Sequence, residues 1–198
     1  MNIRQQKGQI NMDHAKVEIA NNGVNVAALL NARKALEEAP AAAHFTWRAE
    51  CSWLDGVHSR SVIKDFHGLG EEQTRKTAFA VEADHPEVFA ASDSAPTPVE
   101  IVLSALGSCL MAGVASVAQN RGVQLHSAKA IVEGDMDLYG ILGIDADVRN
   151  GFSAVRVRFE IDADGTPDEI AGIVAQAQRR SAVFDLITNP TNVVVTVA

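Results

Sequence analysis

The sequence predicts an α+β domain with a largely antiparallel sheet. Three observations carry this. Two segments, Thr97-Pro98-Val99-Glu100 and Thr166-Pro167-Asp168-Glu169, open with the same helix-start signature of capping threonine, proline and a glutamate three residues after the cap. Several other segments alternate apolar and polar residues with the period of a half-buried strand. Asp55-Gly56 and Asn150-Gly151 join those segments in pairs, as hairpin turns do.

Residues 1–22 are polar and pattern-free, a loose leader or a strap across a neighbouring element. Ala28, Leu29, Ala32, Ala35 and Leu36 recur at helical spacing before Pro40, which predicts an amphipathic helix over about 25–38. Residues 1–40 are therefore a leader and decorating helix, and 41–198 form the main domain. From Phe45 the period becomes two. Phe45, Trp47, Ala49, Cys51 and Trp53 share one strand face, "SRSVIKDF" returns as the second strand, "HGLGEEQTRKT" is a loop and "AFAVEA" is a third strand. The first long helix runs from the Thr97 cap to about Asn120 and stops at Gly122. Two strands follow, over 128–138 and 155–161, then a second long helix ending near Ser181, and "VVVTV" closes the chain as a last strand.

The chain has 198 residues, of which 47% are hydrophobic and 21% charged, the balance of a globular protein. Its net charge of −8 speaks against nucleic acid or an anionic membrane as partner, since both select basic surface. The N-terminus lacks the apolar core of a secretory signal, so a cytoplasmic location is expected. Six histidines and two cysteines show no metal-ligand spacing, and no phosphate loop, nucleophile elbow or dinucleotide fingerprint is present; no metal or cofactor is expected. Ile101 to Ala118 is uncharged over 18 residues, the lower limit for a membrane span. Its glycines and serines make it weakly hydrophobic and suit it instead to close packing at the core of a dimer.

Cys109 lies in that segment, on the order of 18 Å along the helix from its N-terminus. The helix dipole fades within one turn, and an unassisted thiol with a pKa of about 8.5 is mostly protonated at neutral pH. Reactivity would require a cation from another segment; without one, Cys109 is a small core hydrophobe. Cys51, on the apolar face of its strand, reads as core.

"PTPVEIVLSALGSCL", "RGVQLHSAKAIVEGDMDLYGILG", "VRNGFSAVRVRFEI" and "RRSAVFDLITNP" together resemble the OsmC/Ohr family over roughly residues 45–198. The resemblance implies an intertwined homodimer with two long central helices per subunit, and a thiol peroxidase in which Cys109 attacks the peroxide. It also implies an arginine from the N-terminal hairpin, with Arg60 the first candidate and Arg75 and Arg149 the others, and a helix-start glutamate matching Glu100. His58, beside the hairpin turn, would orient a ligand or finish the turn. Two departures matter. Val99 follows the helix proline, leaving Glu100 one residue late and rotated by about 100°, and Ser181 stands where the second, resolving cysteine would be. The expected activity is a one-cysteine reduction of organic hydroperoxides with an external thiol as reductant. The alternative is a non-enzymatic protein that binds a small hydrophobic or sulfur-containing ligand in the dimer pocket.

Overall fold

The computed structural model describes residues 20–197. Of the polar leader read over 1–22, residues 1–19 lie outside the described residues. Its last residues act as a strap. Ala20 is buried, the Gln119 side chain donates to its carbonyl at 2.6 Å, and the Asn22 side chain bridges the Val123 carbonyl and the Leu125 N–H at 2.8 Å each. Asn25 then caps helix α1 (Val26–Glu38), none of whose residues is buried.

The strand expected from Phe45 begins only at Glu50. Phe45, Trp47 and Phe66 instead stack on one another, and Thr46 makes a single bridge to His67. β1 (Glu50–Asp55), β2 (His58–Ile63) and, later, β5 (Phe79–Ala83) form one antiparallel sheet in the order β1-β2-β5. All six residues of β1 are exposed, Cys51 among them, which corrects the reading of Cys51 as core: the period-two pattern supplies an apolar face, but no layer among the described residues covers it. The segment read as a loop contains a further hairpin of β3 (Phe66–Gly68) and β4 (Glu71–Gln73). Its turn has φ values of 58° at Leu69 and 85° at Gly70, so both central residues are left-handed, as in a type I′ turn.

Helix α2 (Pro98–Arg121) follows the expected boundaries. Thr97 and Glu100 complete its capping box, and Gly122 ends it at a φ of 71°. β6 (Leu125–Asp135) and β7 (Ala154–Ala163) pair antiparallel, with Ala128, Ala130 and Val132 opposite Ile161, Phe159 and Val157. β6 stops earlier than the expected 138, because Asp137 caps a single helical turn, α3 (Leu138–Ile141). α4 (Pro167–Arg179) carries the second capping box, and Ser181 starts a short helix that the sequence reading did not separate, α5 (Ala182–Thr188).

The core lies between α2, α4 and the β6–β7 sheet: Val114, Val117, Ala118, Ile173 and Ala177 are buried, with Leu125 and Phe159 against them. Gly113 makes the helix contact possible, since a Cβ there would lie 2.9 Å from that of Ala177. The antiparallel arrangement is thus as expected, but divided into three separate sheets. The closing "VVVTV" is not a strand in this chain. Val193, Val194, Val195 and Val197 are all at least 76% exposed, because a run of β-branched residues becomes a strand only where a neighbouring edge accepts it.

Candidate functional site

Cys109 faces the start of α5. Arg180 ends α4, the backbone turns, and Ser181 caps α5 by accepting the Phe184 N–H at 3.1 Å. The same hydroxyl donates to the Cys109 sulfur at 3.2 Å, and Ser181 is only 5% exposed. The backbone N–H groups of Ala182 and Val183, at the start of α5, also favour the thiolate. Partial burial pushes the Cys109 thiol up, and these three donors outweigh it, holding the thiol below its ordinary value. Hydrogen bonds favour the thiolate here without a full positive charge, and among the described residues no arginine acts on it.

The arginine candidates are placed elsewhere in the single chain. Arg60 lies opposite Glu82 on β5, with Nε 3.6 Å from Oε1, while Nε2 of His58 lies 3.0 Å from the other oxygen of the same carboxylate. The two hairpin residues singled out in the sequence thus share a carboxylate partner and do not meet the thiol. Arg75 sits over the rings of Phe66 and Phe79, 5.4 and 5.7 Å from their centroids, and its Nε is buried without a hydrogen-bond partner among the described residues. Arg149 lines a cavity of ≈ 280 Å³ together with Leu106 of α2 and Phe184 of α5. Glu100 accepts from the Thr97 N–H at 2.8 Å and from its hydroxyl at 3.1 Å, so its carboxylate is engaged in capping, about 13 Å along the helix from Cys109.

A concavity of ≈ 780 Å³ runs between α2 and β6 and is lined by Ser104, Gly107, Met111 and Val132 among others. At about 100° per residue, Cys109 projects away from this groove. Among the described residues no cluster of His, Cys, Asp and Glu could hold a metal ion. Helix α2 is long and apolar enough to cross a membrane by length and composition, but here it packs against α4, β6 and α5 as a core helix does.

Sequence reasoning found Cys109 and Ser181 but not the N–H groups of Ala182 and Val183. The signal for them was local: a serine directly after the end of one helix, with Pro190 closing the next seven-residue segment, is a capped helix start.

A family model described as OsmC-like protein matches residues 91–196. An OsmC-like protein from Mycoplasma pneumoniae superposes with a TM-score of 0.55 at 12% identity, over 72% of this chain and 87% of that one. An OsmC-like protein of unknown function from Vibrio cholerae does so with a TM-score of 0.50 at 14% identity, over 70% and 91%. A hypothetical protein from Aquifex aeolicus gives 0.51 at 11% identity, over 74% and 90%. No curated protein matches the chain. At these identities the structural likeness establishes the α+β fold.

Proposed function

The chain belongs to the OsmC-like family, and from that premise we propose that it is a one-cysteine thiol peroxidase acting on organic hydroperoxides. The observation that supports this reading is the placement of the Cys109 sulfur at the start of α5, where the Ser181 hydroxyl donates to it at 3.2 Å and the Ala182 and Val183 N–H groups also favour the thiolate. The Cys109 thiolate attacks the outer oxygen of the hydroperoxide. The O–O bond breaks, the alkoxide leaves and takes a proton from water, and Cys109 becomes a sulfenic acid. Ser181 cannot form a disulfide, so resolution falls to an external thiol. The decisive experiment measures organic hydroperoxide consumption with added thiol by the wild type, Cys51→Ser and Cys109→Ser. Loss of activity only in Cys109→Ser is expected. Equal consumption by all three would favour the binding-protein reading, with the groove between α2 and β6 as the ligand site.

The same proposal includes a cytoplasmic, intertwined homodimer. Val102, Ser104, Ala105, Ser108 and Ala112 form an exposed, uncharged face of α2, and small residues allow close helix approach. In such a dimer the arginine for Cys109 would come from a hairpin of the second copy, with Arg60 as first candidate. If Arg60→Ala leaves the pH dependence of Cys109 alkylation unchanged, that assignment fails.

A further inference from the structure

A further cavity, ≈ 520 Å³, lies between α1 and the α2–α4 pair, within the ordinary size range of a small-molecule site. Cys109, Gly113, Ser116 and Asn120 follow one stripe of α2 in steps of four, three and four, and the last three line this cavity. The cavity therefore begins one helical turn from the thiol, a separation of about 6 Å between neighbouring side-chain positions.

Leu29 and Leu30 of α1 and Val117 of α2 supply its apolar wall, and Arg33 and Arg180 supply two guanidinium groups. Arg33 is held by Glu37 through Nε at 3.0 Å. Arg180 makes no ion pair among the described residues, and it directly precedes Ser181, whose hydroxyl touches the Cys109 sulfur. With Arg33 paired to Glu37 and no carboxylate among the lining residues, Arg180 is the cation that the cavity offers to a ligand. The cavity fits an anion with a small apolar body, and a carboxylate matches the fork of a guanidinium.

We propose that this cavity binds the external reductant, a low-molecular-weight thiol bearing a carboxylate, and that Arg180 anchors the carboxylate while the sulfur reaches Cys109. The inference rests on the one-cysteine reading above, in which no thiol of the chain resolves the oxidised site. The thiolate of the bound reductant attacks the sulfenic sulfur of Cys109, an S–S bond forms, and hydroxide leaves and is protonated to water. A second reductant thiolate then attacks the reductant's sulfur in this mixed disulfide. Cys109 is released as thiolate, and the two reductant molecules leave as their disulfide, having supplied the two electrons that reduced the hydroperoxide.

The test uses the full chain with Cys51→Ser, so that Cys109 is the remaining thiol, and two disulfide probes: dithiobis(nitrobenzoate), which carries carboxylates, and neutral dithiodipyridine. Rates of reaction at Cys109 are compared for this protein, for Arg180→Gln and for Arg33→Gln. Arg180→Gln should slow the anionic probe by roughly fivefold, the scale of one exposed charge pair, and leave the neutral probe unchanged. High salt should remove the difference. Arg33→Gln should act in the same direction and more weakly. Equal slowing of both probes by Arg180→Gln, or of neither, would overturn the proposal. No hydroperoxide enters this assay, so its result is separable from that of the peroxidase assay.

Discussion

The two halves of the chain are built from similar patterns and end up in opposite environments. Apart from Ala20, every buried apolar side chain among the described residues lies at Leu106 or beyond, whereas β1 is exposed throughout, Trp53 at 72% and, on the same sheet, Phe79 at 52%. Both halves alternate apolar and polar residues along their strands. The C-terminal strands have α2 and α4 to cover them; the N-terminal sheet has no covering layer among the described residues. An apolar strand face thus states that something covers it without stating which chain supplies the cover.

The largest effects should follow this division. Ile173→Ala removes a fully buried side chain at the α2–α4 contact and should cost about 2–5 kcal/mol in urea unfolding, whatever the protein concentration. Trp53→Ala should differ in kind. If a second copy covers the N-terminal sheet, the wild-type unfolding midpoint rises with protein concentration and Trp53→Ala weakens that rise. A stable folded monomer in sedimentation at micromolar concentration, with a concentration-independent midpoint, would break the comparison and the dimer proposal with it.

The helices were the most legible part of the sequence because their signals are local. Thr97 with Glu100, and Thr166 with Glu169, satisfy backbone N–H groups at their own helix starts, and Pro98 and Pro167 have no N–H to satisfy, so the signal is local. The strands were less legible for the opposite reason: Phe45–Ala49 has the alternation of a strand and "VVVTV" its β-branched composition, but pairing depends on an edge that the pattern cannot name. At the site, Cys109 and the loss of the second thiol at Ser181 were readable from motif resemblance. The contact between them was not, since it depends on how α4 turns into α5. Glu100 was readable in its capping role from spacing alone.

Ser181 offers an effect of middle size. Ser181→Ala removes both the cap of α5 and a donor to the sulfur, so stability should fall by about 1 kcal/mol and the Cys109 thiol should titrate at higher pH. The converse substitution sharpens the point. Ser181→Cys puts a second sulfur where an oxygen now lies 3.2 Å from the Cys109 sulfur. Mild hydroperoxide treatment should then join Cys109 to the introduced thiol in an internal disulfide, in place of the mixed disulfide formed with added thiol. Mass spectrometry after digestion distinguishes the two products.

An effect confined to acid pH belongs to the joint between the halves. Asp84 directly follows β5, is 1% exposed, and accepts the Ser94 N–H at 3.0 Å and the Ser94 hydroxyl at 2.7 Å, while its own N–H donates to the Pro96 carbonyl at 3.2 Å. These bonds pinch the loop that carries the chain from the exposed sheet into the Thr97 cap of α2. The backbone and hydroxyl of Ser94 hold the Asp84 carboxyl down to about 2, with the His85 N–H assisting. A carboxyl whose folded pKa is depressed contributes stability above its unfolded pKa of about 3.9 and loses that contribution as pH falls through the folded value. The urea midpoint should therefore decline between about pH 4 and pH 2, and Asp84→Asn, which never carries the charge, should start lower and decline less over that window. Because Asp84 acts on the joint, the acid loss should appear first in amide exchange of the 84–97 loop and β5 and later in α2. Simultaneous loss across both regions would mean that the joint does not separate them, and that the two halves unfold as one unit despite their different burial.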